Sequence, residues 1–531
     1  MPLFTPAPFS YCLPDGSWLY QHIQLSIEPG FNALLGRNGS GKSTLARQLQ
    51  QCLGDECYLL PQLPAANWQQ QSVASMLGIS DKLIALQQLA AGACDADTLE
   101  RIGDHWQLAD DLCLQLQQLG VSADYWQSPT LLSADQLSAN QLSAGQLSGG
   151  QLNRLRLWWA FYQQAPLLIL DEPSNHLDTA GRQWLSQQIA SYLRKPKRAI
   201  LLISHDRELL QQATVIYQLS ASGLSRFGGN YHFYQQQYLL QQHALQQQRQ
   251  HAERNLAQQQ RSAQIAAERA AKRQQQGEKR RGNQASVLLD YQKNRAQSAV
   301  SARRTQEQHQ LKQAQHQLQA IKTQQEIVKP QQFYLQAPPA GGSKQLVNAV
   351  ALQLAYGKST LLTFHWHSQQ RIQLQGANGS GKSTLLKTLA GLLPAAGGEL
   401  QVNGRLQYLD QHFSLLNASQ SALTNLRQYC PALSETDGRT LLASVGFRGD
   451  NALKPVSVLS GGERMKLAML QVSQHSDNLL LLDEPDNHLD LDAKQLLATA
   501  LSQYPAGFVV VSHDPYFIEQ LGIDTVLQLN T

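Results

Sequence analysis

The apolar residues of this 531-residue chain follow two kinds of pattern. Short, wholly apolar runs stand directly before polar motifs, as at Leu167–Leu170 and Leu479–Leu482. Because such runs are too short for helices and are bounded by polar residues, they predict buried strands. Between about 243 and 329, apolar residues instead recur at 3–4 spacing, which predicts long helices. The pattern therefore predicts an α/β fold with a helical segment in the middle of the chain.

The polar motifs that follow the apolar runs occur twice, in the same order. The repeated pairs are GRNGSGKST (36–44) and GANGSGKST (376–384), LSGGQ (147–151) and LSGGE (459–463), LLILDEPSNHLD (167–178) and LLLLDEPDNHLD (479–490), and LLISHD (201–206) and VVVSHD (509–514). From the serine of the second motif to the glutamate of the third, both copies span 24 residues (172 − 148 and 484 − 460). Two similar domains are predicted, at 1–235 and 331–531, joined by a linker at 236–330.

Between a glutamine and the serine of the second motif, which occur in both copies, the first copy of the repeat is longer than the second. The interval is 86 residues from Gln62 to Ser148 but 49 from Gln411 to Ser460, a difference of 37. Three pentads, LSADQ, LSANQ and LSAGQ, stand before LSGGQ and account for 15 of these residues. Only LSGGQ keeps both glycines and the 24-residue interval to Glu172. We therefore predict an insertion within about 75–146, with the extra pentads forming an inert loop.

The first repeated motif has the form GxxxxGK[ST] between an apolar strand and a helical stretch, which is typical of a phosphate-binding loop. Its glycines let backbone N–H groups surround phosphate oxygens at a helix N-terminus, where the helix dipole favours anions. Lys42 and Lys382 add positive charge, and Ser43 and Ser383 offer hydroxyl groups to Mg²⁺. The residues predicted to bind ATP in these loops are Gly36, Arg37, Asn38, Gly39, Ser40, Gly41, Lys42, Ser43, Thr44, Gly376, Ala377, Asn378, Gly379, Ser380, Gly381, Lys382, Ser383 and Thr384.

An Asp-Glu pair ends the apolar run of each third motif. We expect Asp171 and Asp483 to bind Mg²⁺ and the neighbouring glutamates to position a water molecule for attack on ATP. A histidine follows an apolar strand and a serine in each fourth motif; a single such histidine is more often structural, but its recurrence favours a role beside the γ-phosphate. Two hydrolytic sites are therefore predicted. Their expected catalytic residues are Glu172, Glu484, His205 and His513.

The charge of the chain is concentrated in the predicted helical segment. From His243 to Lys329 there are sixteen Lys or Arg and six acidic residues, a net charge of +10 in a chain of +4. Because Gly277–Gly282 interrupts the apolar pattern and Pro330 ends it, we predict an antiparallel helical pair with a basic tip. A solvated spacer is the plain alternative, but a basic tip suits a phosphate backbone, of RNA or of DNA. The residues predicted to bind RNA are Lys272, Arg273, Lys279, Arg280, Arg281, Lys293 and Arg295.

Composition excludes several classes of protein. The six cysteines form no CxxC pair, so neither a disulfide framework nor a zinc site is expected, and a reducing cytosol fits best. No apolar run approaches the roughly 18–20 residues that span a membrane. The opening sequence MPLFTPAPFS lacks the basic start and apolar core of a signal peptide. We therefore expect a cytoplasmic protein without a membrane segment.

LSGGQ and LSGGE, together with both phosphate loops and both acidic pairs, resemble the ATP-binding cassette family. In that family the signature of one cassette covers the nucleotide held by the phosphate loop of the other. The resemblance implies that Ser148, Gly149, Gly150 and Gln151 contact ATP held by Lys382, and that Ser460, Gly461, Gly462 and Glu463 contact ATP held by Lys42. It also implies that Gln62 and Gln411 sense Mg²⁺ and that Tyr11 and Tyr356 stack on adenine.

Tandem cassettes, DEPxNHLD in both copies and a basic linker together resemble the ABC-F subfamily over essentially the whole chain. Members of that subfamily bind the ribosome near the exit site for tRNA, adjust translation, and in some cases protect the ribosome from antibiotics. The resemblance implies ATP and Mg²⁺ as cofactors, the ribosome and tRNA as partners, and a monomer whose two cassettes pair with each other. The alternatives are the ATPase subunit of a membrane transporter and an ATPase that binds DNA structures.

Overall fold

The computed structural model describes residues 2–13, 16, 18–62, 71–92, 94–121, 144–175, 177–220, 223–279, 305–306, 308–321, 344–357, 361–410, 413–474, 479–487 and 489–529. The chain divides into two compact units. One contains Met1–Leu219, Leu224–Tyr231 and Pro330–Thr531, and therefore nearly all of both predicted cassettes; the other contains Ser220–Gly223 and His232–Lys329. The predicted domain limits at 235 and 330 stay predictions. In the described part of the chain, no helix has the length and apolar character needed to cross a bilayer.

A mostly parallel sheet forms the centre of the first cassette. The strands of this cassette are β1 (Phe9–Cys12), β2 (Trp18–Ile23), β3 (Gly30–Gly36), β4 (Cys57–Leu60), β5 (Leu167–Asp171), β6 (Ala199–Ile203), β7 (Val215–Ser220) and β8 (Gly223–Gly228). β1 and β2 form an antiparallel pair, and the others form one sheet in the order β4-β5-β6-β3-β7-β8. Every residue of β5 and β6 is buried, as expected for parallel strands covered on both faces. The predicted α/β fold is confirmed.

The helices of the first cassette include a group that falls within the predicted insertion. They are α1 (Lys42–Leu53), α2 (Val73–Leu77), α3 (Ser80–Ala90), α4 (Ala96–Ile102), α5 (Leu108–Gln118), α6 (Gly149–Tyr162), α7 (Thr179–Leu193) and α8 (Arg207–Gln211). Side chains of α2, α3 and α5 pack with Leu155 and Trp159 of α6 in a separate apolar cluster. LSADQ, LSANQ and the first two residues of LSAGQ lie outside the described residues, so the inert loop stays a prediction.

The linker contains one long helix, α9 (Tyr231–Lys279), which has 49 residues. The helix continues through Gly277, where the sequence predicts an interruption. A single glycine costs a helix only about 1 kcal/mol, and its neighbours, Gln and Glu, are good helix formers. Residues 305–306 and 308–321 are also helical, and Ala314 and Leu318 on the predicted apolar stripe are buried. Lys272 is exposed on α9, which also includes Arg273 and Lys279. The predicted tip residues Arg280, Arg281, Lys293 and Arg295 lie outside the described residues.

The second cassette repeats the sheet of the first. Its strands are β9 (Gln345–Leu354), β10 (Leu362–His367), β11 (Arg371–Gln375), β12 (Ala395–Val402), β13 (Leu406–Leu409), β14 (Leu479–Asp483), β15 (Phe508–Val511) and β16 (Thr525–Gln528). The parallel strands follow the order β13-β14-β15-β11-β16, which matches β4-β5-β6-β3-β7, and β10-β9-β12 form an antiparallel sheet. The helices are α10 (Lys382–Leu389), α11 (Ala422–Tyr429), α12 (Glu435–Ser444), α13 (Gly461–Val472), α14 (Leu491–Ser502) and α15 (Pro515–Leu521).

We predict that Phe508→Ala destabilises the second cassette by about 3–5 kcal/mol. Phe508 lies on β15, inside the parallel sheet, and its side chain is completely buried, so truncation leaves a cavity. Urea unfolding followed by circular dichroism measures the shift of the midpoint. The matched control is Phe233→Ala on α9, where the side chain is 45% exposed. Equal midpoint shifts in the two variants would contradict this account of the core.

Candidate nucleotide sites

Each phosphate loop is held in shape by a glycine with a positive φ angle. Gly41 has a φ of 93° directly before α1, and Gly381 has a φ of 99° directly before α10. A Cβ atom on Gly41 would lie 2.5 Å from Cδ2 of Leu19 and 2.9 Å from the ring of Tyr20. Only glycine tolerates both the angle and the contact. The loop can therefore follow β3 and lead directly into a helix N-terminus, as the sequence predicts.

The lysine of each loop points back onto the loop. Nζ of Lys42 donates hydrogen bonds to the carbonyls of Gly36 (2.6 Å) and Arg37 (3.0 Å). Nζ of Lys382 donates to the carbonyls of Gly376 and Ala377 at the same two distances. Burial lowers the pKa of both lysines, and the carboxylates of Glu172 and Glu484 are the strongest opposing influences. Each loop therefore encloses one ammonium group.

The predicted magnesium ligands of the first site lie together. The Ser43 hydroxyl lies beside the carboxylate of Asp171, at the end of β5; burial raises the pKa of Asp171, and the interaction with this hydroxyl opposes the shift. A hydroxyl beside a carboxylate is an oxygen donor set that suits Mg²⁺. In the second site Oδ2 of Asp483 accepts a 2.9 Å hydrogen bond from the hydroxyl of Tyr408, and Ser383 is exposed at the start of α10. No motif in the sequence indicates this contact of Tyr408.

The two predicted catalytic glutamates share an unusual backbone conformation. Glu172 and Glu484 each have a φ of 51°, in the left-handed region. Their backbone N–H groups donate hydrogen bonds to the carbonyl oxygens of Ile203 (2.7 Å) and Val511 (3.0 Å) on the neighbouring strands. These bonds stabilise the left-handed conformation. A non-glycine residue in this region costs roughly 1–3 kcal/mol, and such strain concentrates at functional sites. The matching strain in both copies supports a shared function of the two glutamates.

Each predicted catalytic histidine lies beside its glutamate. Nε2 of His205 is 3.6 Å from Oε1 of Glu172, and Nε2 of His513 is 3.9 Å from Oε1 of Glu484. Burial lowers the pKa of both histidines, that of His513 to about 4, so both are neutral near pH 7. Among the described residues, neither Nε2 atom has a hydrogen-bond partner. A buried ring nitrogen without a partner is suited to bind a group that enters the site.

The LSGGQ and LSGGE motifs form the N-termini of α6 and α13. Oγ of Ser148 accepts a hydrogen bond from the backbone N–H of Gln151, whose side chain accepts one from the backbone of Ser148. Ser460 and Glu463 form the same reciprocal pair. Serine followed three residues later by Gln or Glu is a capping box, which explains the motif in physical terms. The positive end of a helix dipole is thus presented at each signature.

The two cassettes contact each other through their phosphate loops. The backbone N–H of Asn38 donates to Oδ2 of Asp490 at 3.1 Å, and that of Asn378 donates to Oδ2 of Asp178 at 3.4 Å. In both aspartates the other oxygen caps a helix, α14 or α7. Sequence reasoning missed both aspartates as site residues, although each ends the third repeated motif. The contact is reciprocal, so each loop depends on the opposite cassette.

One helical turn after Asp178 and Asp490 there is a basic residue in each cassette. Its side chain binds the aspartate that directly follows the predicted catalytic histidine in the sequence. Nη1 of Arg182 lies 3.0 Å from Oδ2 of Asp206, and Nζ of Lys494 lies 2.8 Å from Oδ2 of Asp514. Asp206 and Asp514 also cap α8 and α15. These four side chains are mostly buried, and a buried charge requires a partner of this kind. Sequence reasoning missed them, and the only available signal was a matched basic residue in each copy.

The predicted adenine-stacking tyrosines lie near the phosphate loops. Tyr356 is 69% exposed, and a Cβ on the neighbouring Gly357 would lie 2.9 Å from the Cα of Gly381. The ring centroid of Tyr11 is 6.3 Å from that of Tyr20, which packs against the first loop. These positions are compatible with stacking, which stays a prediction.

One of the two glutamines predicted to sense Mg²⁺, Gln62, lies in the described part of the chain. Gln62 is exposed two residues beyond the end of β4, whereas Gln411 lies outside the described residues. Nη2 of Arg156, on α6, donates to the carbonyl of Pro61 at 2.5 Å. The signature helix therefore positions the segment that carries Gln62.

Comparison with known proteins finds matches in both cassettes. Residues 20–175 and 359–487 match the family model described as ABC transporter. The chain is 30% identical over 537 residues to the probable ATP-binding protein YheS of Escherichia coli O6:H1, covering 96% of this chain and 76% of that protein. It is 27% identical over 541 residues to ABC transporter F family member 4 of Arabidopsis thaliana (95% and 70%). It is 30% identical over 385 residues to the putative ATP-binding protein YdiF of Bacillus subtilis, where it covers 71% of this chain but 54% of that protein.

We predict that Glu484→Gln stabilises the protein at pH 8.5 but not at pH 4.5, without nucleotide or Mg²⁺. Burial, and next the charge of Asp483, raise the pKa of Glu484 from 4.5 to about 7. The folded parent therefore loses stability as the pH rises through about 7, whereas glutamine does not ionise. At 1.36 kcal/mol per pKa unit the gain reaches at most about 3 kcal/mol. Urea unfolding at both pH values measures it. The exposed Glu519→Gln serves as control, and an equal, pH-independent effect of both changes would refute the prediction.

Proposed function

Because the chain belongs to the ATP-binding cassette family and, within it, to the F family, we propose that it hydrolyses ATP at two composite sites. In each site the phosphate loop of one cassette and the signature helix of the other enclose the nucleotide. The observation that carries this proposal is the reciprocal contact of Asn38 with Asp490 and of Asn378 with Asp178. This contact places each phosphate loop against the other cassette, at the segment that follows the Asp-Glu pair.

Mg²⁺ would be held by Ser43 and Asp171 in the first site and by Ser383 and Asp483 in the second, with Gln62 and Gln411 near it. When bound, it supplies positive charge to the β- and γ-phosphates. Lys42 and Lys382 add charge from inside each loop, and the N-termini of α1 and α10 direct N–H groups to the phosphates. Tyr11 and Tyr356 would hold the adenine ring.

The chain's own residues then position the attacking water. Glu172 and Glu484, fixed by their left-handed backbone, would accept a hydrogen bond from that water. His205 and His513, neutral near pH 7 and buried beside the glutamates, would donate from a ring N–H to the γ-phosphate. Both cassettes keep these residues, which supports hydrolysis in both sites.

We predict that the double change Glu172→Gln and Glu484→Gln lowers ATP turnover at least about 100-fold, the usual size of a positioned general base. ATP binding is retained, because the phosphate loops and their lysines are unchanged. Phosphate release and equilibrium binding of ATP measure the two effects. Turnover at the parent rate would refute the assignment of the glutamates. Loss of ATP binding in parallel with turnover would instead show that they act in binding.

We further propose that the protein is a cytoplasmic translation factor that binds the ribosome and tRNA, regulating translation or protecting the ribosome from an antibiotic. Membership of the F family and the net charge of +10 between His243 and Lys329 support this proposal. Lys272 is exposed on α9, as a contact to a phosphate backbone requires. ATP-driven closure of the cassettes would change the position of the linker.

We predict that the double glutamine variant sediments with ribosomes in an ATP-dependent manner. Changing Lys272, Arg273 and Lys279 to Gln should weaken this association and reduce its dependence on salt, because fewer phosphates are neutralised. Changing Gln274, Gln275 and Gln276 to Asn is the matched control on the same helix. No ATP-dependent enrichment with ribosomes would contradict the ribosomal role. Tighter binding of branched DNA than of tRNA at equal salt would favour the DNA-binding alternative.

A further inference from the structure

Among the described residues, the contact between cassettes includes an ion pair at the first phosphate loop and none at the second. Nε of Arg37, in the first phosphate loop, lies 3.3 Å from Oδ2 of Asp492, near the start of α14 in the second cassette. The matched positions on the other side are Ala377 in the second loop and Ala180 in α7. Alanine side chains carry no charge, so the second site cannot form this pair.

The neighbouring positions show the same inequality in charge. The segments of the second cassette that face the first loop contain three acidic residues where the first cassette has one. These residues are Glu463, Asp490 and Asp492, and their counterparts are Gln151, Asp178 and Ala180. The backbone contact is also shorter in the first site, at 3.1 Å for Asn38 against 3.4 Å for Asn378.

A basic residue on each signature helix is also placed differently. Lys466, on α13, lies among these charges. Its burial is the largest influence on its pKa and lowers it. The carboxylates of Glu463 and Asp490 raise this pKa, and the guanidinium group of Arg37 lowers it. The matched residue of the first cassette, Arg154, lies instead over the ring of Trp184 in its own cassette, 5.1 Å from the ring centroid. In the described part of the chain, a loop arginine, a signature-helix lysine and three acidic residues therefore come together at the first loop.

The ion pair has a defined physical consequence for opening. Because its members belong to different cassettes, the pair exists only while the two surfaces are in contact, and opening must break it. Its side chains are 36% and 58% exposed, so the pair is screened by salt and of modest strength. Exposed pairs of this kind change an equilibrium by roughly 2- to 5-fold.

We propose that Asp492 is a positioning residue of the first site, contributed by the opposite cassette. Through Arg37 it holds the first phosphate loop against the second cassette, so nucleotide bound at Lys42 leaves more slowly than nucleotide bound at Lys382. The two sites are thus unequal, although their catalytic residues match. This inference rests on the proposed ATP-binding function and specifies which site stays closed longer.

The test measures release of the fluorescent analogue MANT-ATP from the full chain carrying Glu172→Gln and Glu484→Gln. Adding Lys382→Met leaves the first site to be observed, and adding Lys42→Met leaves the second. At low salt, release from the first site is expected to be about 2- to 5-fold slower. Asp492→Ala should remove this difference in the first-site chain, without effect in the second-site chain, and Asp492→Glu should preserve it. Raising the salt concentration should accelerate release from the first site only.

A matched gain-of-contact variant tests the same idea in reverse. Ala377→Arg combined with Ala180→Asp places the missing pair at the second site and should slow release there. Equal release rates from both sites, or no response to Asp492→Ala at low salt, would overturn the inference while leaving the proposed function intact. Failure of the double glutamine chain to retain MANT-ATP at all would instead overturn the proposed function.

Discussion

The arrangement of the sites depends on two carboxylates that each make two contacts. Asp178 and Asp490 cap their own helices with one oxygen and accept a backbone N–H of the opposite phosphate loop with the other. A carboxylate is stabilised at a helix N-terminus, so the residue that starts the helix also fixes the contact between cassettes. One turn later on the same helices, Arg182 and Lys494 form ion pairs with the aspartates that follow the two histidines, Asp206 and Asp514.

Around this contact, the sites contain groups that oppose folding. The left-handed backbone of Glu172 and Glu484, the buried ring nitrogens of the histidines and the raised pKa of Glu484 all carry a cost in stability. The fully buried strands β5, β6, β14 and β15 hold these groups in place through backbone hydrogen bonds. Strain at the ends of buried strands is therefore tolerated because the sheet itself is strongly constrained.

The sequence was informative where one segment determines its own structure. The apolar runs predict β5 and β14, the glycines predict the turn before α1 and α10, and repetition identifies Glu172 and His205 with their counterparts. It was uninformative where segments far apart in the chain meet. The bond from Tyr408 to Asp483, the pair of Arg182 with Asp206 and the contact of Asp490 with Asn38 depend on tertiary packing. The helix through Gly277 shows the reverse case, where a local signal was outweighed by its surroundings.

The central claim, that each site combines two cassettes, is tested most directly by counting nucleotides bound to the double glutamine chain. Lys42→Met with Ser460→Arg alters two parts of the same proposed site, so one ATP per chain should remain bound. Lys42→Met with Ser148→Arg alters both proposed sites, so no ATP should remain. The opposite result, with one ATP in the second variant and none in the first, would show that each phosphate loop uses the signature of its own cassette and would contradict the account.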